Sequence, residues 1–133
     1  MQAFSTRLQV TMDLRDTILR REENRFTRDY SQGYCYYKES QQLTLYGNFT
    51  FHFAQVVLAS ISNNRSGLPT ERHQIHSGAW QVEIRQGRTA LVLNNENGSE
   101  VWWYIEDGET GVQYLDGKAW QRCSIHDKLE DPR

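Results

Sequence analysis

Apolar and polar residues alternate with period two along much of this chain. Phe49, Phe51 and Phe53 are separated by Thr50 and His52, and Trp80, Val82 and Ile84 by Gln81, Glu83 and Arg85. Leu91 and Leu93 continue the pattern, as do Val101, Trp103 and Ile105. Successive side chains of a strand point to opposite sides, so these runs predict strands with one face in a core. Turn-forming residues separate them at Tyr46-Gly47-Asn48, Gln86-Gly87-Arg88, Asn95-Glu96-Asn97-Gly98, Asp107-Gly108 and Asp116-Gly117. Short strands punctuated in this way read as an antiparallel meander.

The pattern also selects a register for one hairpin. A two-residue Gly47-Asn48 loop would pair Leu45 with Thr50 and Leu43 with His52. A three-residue loop, Tyr46 to Asn48, pairs Leu45 with Phe49 and Leu43 with Phe51, which puts all four apolar side chains on one face. A slip of one residue reverses the faces, so the second register is expected.

The first third is less regular. Residues 3–12 read as a short helix or an arm, Thr17 to Asn24 as a strand, 27–33 as a loop, and Tyr34 to Tyr37 as a strand. Asn63 to Ser77, with Pro69 and two histidines, reads as one long polar connection, and 126–133 as a polar tail. No repeat or linker divides residues 1–133, which are expected to form one domain. The fold expected is all-β: an antiparallel up-and-down meander of about eight strands closing into a small barrel. Closure removes sheet edges, and eight strands leave an interior that side chains can fill or that can hold one small ligand.

Composition narrows the function. The 133 residues include four Trp, seven Tyr and five Phe, which favours an ordered chain. Fifteen Lys and Arg against 17 Asp and Glu give a net charge of −2, which argues against a dedicated nucleic-acid binder. No apolar run approaches the roughly 20 residues of a membrane-spanning helix. No signal-peptide pattern is visible, so a cytoplasmic location is the default expectation. Cys35 and Cys123 make no secreted-type framework. They are either two reduced thiols or one disulfide between an early and a late strand. The sequons at Asn48, Asn64 and Asn97 fall where turns are expected anyway.

Several segments together resemble the small bacterial lipocalin-like, calycin-type barrel domains. They are Leu14-x-x-Thr17 followed by Leu19, the hairpin LTLYGNFTFHF, Gly78-Ala79-Trp80, the stretch TALVLNNENGSEVWWYIED, and the closing YLDGKAWQR. That group often starts with an L-x-G-T-W-like strand, opens a middle strand with G-x-W, and ends in an aromatic-x-Arg strand. Here Asp16 stands in place of the Gly, and Ile18 in place of the Trp over which an Arg such as Arg122 packs. The resemblance implies an up-and-down barrel. It does not imply one function, because such barrels host transport, lyase and inhibitory roles.

Candidate chemistry is sparse. His73-x-x-His76 is the only close histidine pair, and no Cys/His cluster or H-E-x-x-H supports a metal, so none is expected. No nucleophile elbow, phosphate loop or dinucleotide fingerprint occurs, and no cofactor is expected. Arg15, Arg20, Arg21, Arg25 and Arg28 interleave with Asp13, Asp16, Glu22, Glu23 and Asp29, which makes a mixed-charge surface. From Thr89 to Gly117 there are six acidic residues and no Lys or Arg.

The aromatics carry the functional expectation. Phe51, Trp80 and Trp103 fall on inward faces, either as walls of a pocket for a small hydrophobic or aromatic ligand or as core. Trp102 and Tyr104 point the other way and, side by side, would form a protein-interaction patch with the acidic segment unless an arm covers them. Non-catalytic ligand binding is the first expectation, a protein-interaction module the second, and a lyase or isomerase the third.

Overall fold

A computed structural model describes residues 2–29, 33–61 and 70–126. One helix, α1 (Gln2–Leu14), precedes eight strands: β1 (Thr17–Asp29), β2 (Gly33–Leu45), β3 (Thr50–Ile61), β4 (Thr70–Arg85), β5 (Arg88–Asn95), β6 (Glu100–Asp107), β7 (Val112–Leu115) and β8 (Lys118–Ser124). All pairings are antiparallel and sequential, and β8 returns to β1, so the sheet is a closed barrel in meander order. No helix among the described residues is long and apolar enough to cross a membrane.

The core follows from the alternation. Leu19, Leu43, Leu45, Phe51, Trp80, Val82, Leu91, Leu93, Ile105, Leu115 and Trp120 are buried together inside the barrel. Each fully buried side chain of this kind contributes about 1.5–3 kcal/mol. Helix α1 packs against β4 and adds Leu14 and part of Val10 to the same core. Interior polar groups have partners. The buried Gln113 donates from Nε2 to the Glu106 carbonyl (2.8 Å) and accepts from Arg122 Nη1 (3.0 Å).

The joint between α1 and β1 explains one departure from the lipocalin-like pattern. Asp16 sits in the left-handed region (φ 56°), the conformation that ends many helices and that favours Gly. Aspartate tolerates it, and its Oδ1 accepts from the Gly47 N–H (2.8 Å), which ties the joint to the β2–β3 turn. Arg15 Nε donates to the Gly47 carbonyl (3.2 Å). Arg122 donates to Gln113 and to the Asp13 carbonyl, so it holds the end of α1 against the barrel.

The structure corrects several local expectations. Leu45 pairs with Phe51 and Leu43 with Phe53, two residues from the expected register and with the same faces inward. The loop is Gly47 to Phe49: Tyr46 N–H donates to the Thr50 carbonyl (2.9 Å), and Phe49 takes a left-handed conformation (φ 68°). A type I turn followed by one such residue is a standard three-residue hairpin. Residues 27–29 and Gly33 belong to β1 and β2, not to a loop. Residues 70–77 belong to β4. Helix α1 extends over Gln2–Leu14, beyond the expected 3–12. The side chain of Cys35, Asn64 and the tail from residue 127 lie outside the described parts; Cys123 is a free, half-buried thiol.

The strands are unequal. The first four have 13, 13, 12 and 16 residues, and the last four have 8, 8, 4 and 7. Strand β1 pairs with β8 only from Thr17 to Arg20, and β4 pairs with β5 only from Gly78 onward. Beyond those points β1 to β4 continue as a four-stranded ledge whose inner face prolongs the barrel interior.

Candidate functional site

Each aromatic expected to face inward does so, in different settings. Phe51 and Trp80 are both 2 % exposed and packed in the core. Trp80 Nε1 donates to the Tyr46 carbonyl (2.9 Å), and Phe49 leans on the Trp80 ring (5.1 Å). Trp103 is only half-buried. It packs on the core edge, 6.3 Å from the buried Trp120 ring. Phe53 is likewise half-buried and stacks on His76 (6.2 Å).

Strand parity shows what lies beyond this edge. The inner positions after Leu19, Leu43 and Phe53 are Arg21, Glu23 and Arg25 on β1, Gln41, Glu39 and Tyr37 on β2, and Gln55 and Val57 on β3. On β4 they are His76, Gln74 and Arg72. Arg21 Nη2 lies 3.6 Å from Glu23 and its Nη1 3.4 Å from Gln41 Oε1, while Arg25 reaches Glu23 at 3.3 Å and covers the Tyr37 ring. Glu39 accepts from Gln55. Desolvation pushes the Glu23 carboxyl up, but the charge and hydrogen bond of Arg25, with the charges of Arg21 and Lys118, outweigh it and hold the group below its ordinary value. The inner face therefore changes from apolar to polar at Trp103 and Phe53. Sequence reasoning missed this polar set, because the ledge strands carry polar residues on both faces.

A groove of about 830 Å³ lies elsewhere, on the outer face. Val112, Gln121, Arg20, Gln42 and Ala54 form one ladder row across β7, β8, β1, β2 and β3, and Glu22, Ser40 and Val56 form the next. Arg20 Nε donates to Gln42 Oε1 (2.9 Å). Arg21, Gln41 and Trp120, whose strand positions face the interior, also border it, and Phe51, Trp80 and Trp103 take no part in its lining.

Trp102 and Tyr104 stand on the outer face, half-buried, with their rings edge-to-face at 5.0 Å. They lie opposite Val92 and Ala90, which are fully buried although they face outward. Arginines from the β4–β5 hairpin roof both rings: the Arg85 guanidinium lies 4.8 Å above Trp102 and that of Arg88 lies 3.9 Å above Tyr104. Arg85 pairs with Glu100 (3.0 Å) and Glu83 (3.2 Å), and Arg88 pairs with Glu106 (3.0 Å). Tyr104 Oη donates to Gln86 (2.9 Å). This patch is a mixed aromatic and guanidinium surface, and two carboxylates of the acidic 89–117 segment are paired within it.

His73 and His76 lie three positions apart on β4 and so on opposite faces, which prevents them from sharing one ligand. His73 Nε2 instead meets Glu71 Oε1 (3.1 Å). No cluster of three or more potential metal ligands occurs among the described residues.

Comparison of the chain with protein-family models, curated proteins and solved structures returned no match.

Proposed function

We propose that this protein is a non-catalytic binding protein that takes a small hydrophobic or aromatic ligand at the open half of a lipocalin-like barrel. The closed eight-stranded meander supports the lipocalin-like part of this reading. One observation carries the binding part: Trp103 and Phe53 are only half-buried where the interior turns from apolar to polar, while Phe51 and Trp80 are packed in the core. Ligand sites are mainly apolar with a few convergent polar groups, and this boundary has both. The ligand would lay its apolar face on Trp103 and Phe53 and meet Gln41, Gln55 or Arg21 at its rim.

Titration with the neutral apolar dye N-phenylnaphthylamine tests the reading. Saturable binding is expected, with affinity falling at least about tenfold in Trp103→Leu, the equivalent of about 1.4 kcal/mol. Absence of saturable binding by the folded protein, or equal binding by Trp103→Leu, overturns it.

A further inference from the structure

We propose that this protein forms a weak two-fold dimer through the free edge of β4, whose residues 71–75 pair antiparallel with the same residues of a second copy. This interface uses none of the residues of the ligand site.

The backbone sets the geometry. The Trp80 N–H donates to the Phe49 carbonyl (2.9 Å), and the β3–β4 register runs unbroken from Thr50↔Ala79 to Ala59↔Thr70. Hydrogen-bonded and non-bonded pairs alternate along an antiparallel ladder. Even-numbered residues of β4 therefore bond to β3, and odd-numbered residues turn their N–H and C=O away from it. The Ser77 carbonyl follows this rule and accepts from the Glu96 N–H on the far side (2.9 Å). Pairing with β5 stops at Gly78. Among the described residues no strand stands beside Glu71, His73 and Ile75 on that side, so their N–H and C=O groups form an open edge. Residues 71–75 are all exposed, and Ile75 is 66 % exposed, so nothing covers this edge. Strand β1 also outruns its partner, but Ala119 and Trp120 of β8 border one groove with its Arg21 and Glu22. The β4 edge is the more open of the two.

An open edge is a template for another strand, and closed two-fold pairing is the commonest way for identical chains to use one. A two-fold axis at His73 sets Glu71 opposite Ile75 of the second copy, and His73 opposite its own mate. All three N–H and all three C=O groups of each copy then gain a partner. On the inner face Arg72 lies opposite Gln74, so no like charges oppose one another across the edge. Each His73 keeps its own Glu71 at 3.1 Å. The neighbouring registers are worse. An axis at Arg72 sets two arginines against each other, which destabilises a cross-strand pair. An axis at Gln74 sets Glu71 against Ser77, whose carbonyl is already taken by Glu96.

Sedimentation equilibrium from about 10 μM to 1 mM chain tests the proposal, because an interface this small belongs to the weak class. A monomer–dimer equilibrium is expected in that range, and a wild-type protein that stays monomeric throughout overturns the proposal. Gln74→Glu sets a carboxylate opposite Arg72 twice in each dimer and is expected to lower Kd about threefold or more, while Gln74→Lys raises it by a similar factor. Equal Kd values for these two variants overturn β4 as the interface. Mild oxidation reads the register. Facing residues of a bonded pair have Cα atoms about 5.5 Å apart, within disulfide reach. His73→Cys is therefore expected to give a covalent dimer, and Ile75→Cys, which lies several residues from its own mate, is expected to give no more than wild type. Covalent dimer in Ile75→Cys alone, or none above wild type in His73→Cys, overturns the pairing at His73.

Discussion

Gly78 of β4 passes so close to Asn94 of β5 that a Cβ on the glycine would lie 1.9 Å from the Asn94 carbonyl oxygen. The clash would be with backbone, which cannot swing aside as a side-chain end can. The first residue of the Gly78-Ala79-Trp80 motif is therefore set by the approach of two strands, and the third by the core. Gly78→Ala is expected to cost about 3 kcal/mol or more, at the upper end of overpacking effects. Chemical denaturation measures it; a loss below about 1 kcal/mol would show that the strands separate more easily than this contact implies.

Arg122 joins β8 to the end of α1 through Gln113 and the Asp13 carbonyl. Replacing it with Met keeps apolar volume and removes both bonds, leaving the buried Gln113 oxygen without its donor. The expected cost is about 2 kcal/mol. Amide exchange should accelerate in α1 while β4 and β5 keep their protection, and uniform acceleration across the barrel would contradict a local clamp.

The Arg85–Trp102 contact can be isolated by a double-mutant cycle with Arg85→Met and Trp102→Leu. A coupling of about 0.5–1 kcal/mol is expected for a partly shielded cation over an indole face. A coupling indistinguishable from zero would mean that Arg85 is held by Glu100 and Glu83 alone.

Glu23 gives the acid limb of stability a direction. Its carboxyl titrates below the usual 4.5 because Arg25, Arg21 and Lys118 outweigh the effect of desolvation. A folded-state value below the unfolded one stabilises the protein above the unfolded value, and that stabilisation is lost as pH falls through the folded value. Wild type should therefore exceed Glu23→Gln in Tm at neutral pH, with the difference shrinking as pH drops below 4.5. A gap that widens on acidification would reverse the assigned sign.

The sequence was most legible where one face of a strand meets the core. Trp80, Val82, Leu91, Leu93, Trp103 and Ile105 all face inward as their alternation predicts, and Trp102 and Tyr104 face outward. Legibility stopped where strands leave the core. Thr70-Glu71-Arg72-His73-Gln74 is strand with polar residues on both faces, so it has no period to read, and the same holds for β1 after Leu19. Phe49 was concealed for another reason: a bulky residue at positive φ is uncommon, and its place in the Phe49-Thr50-Phe51 alternation resembles strand. The Arg85 and Arg88 roofs depend on the register of three strands, which no local pattern contains. The polar inner set near Arg21 likewise emerges only from the difference in strand length.

The seam that closes the barrel has a kinetic consequence. Four residues, Thr17 to Arg20, meet Gln121 to Ser124, and the neighbouring Arg122–Asp13 bond spans 109 positions of sequence. Every other strand pair joins consecutive strands whose connection can close early, whereas this one must bring the first strand to the last, and such non-local closure slows folding. The last step of folding should be the zipping of this seam, and the first step of unfolding its release. A circular permutant that links β8 to α1 through a short flexible segment and opens the chain at Gly117 would make the β8–β1 closure local. It would instead leave the β7–β8 pair to be made across the whole length of the chain.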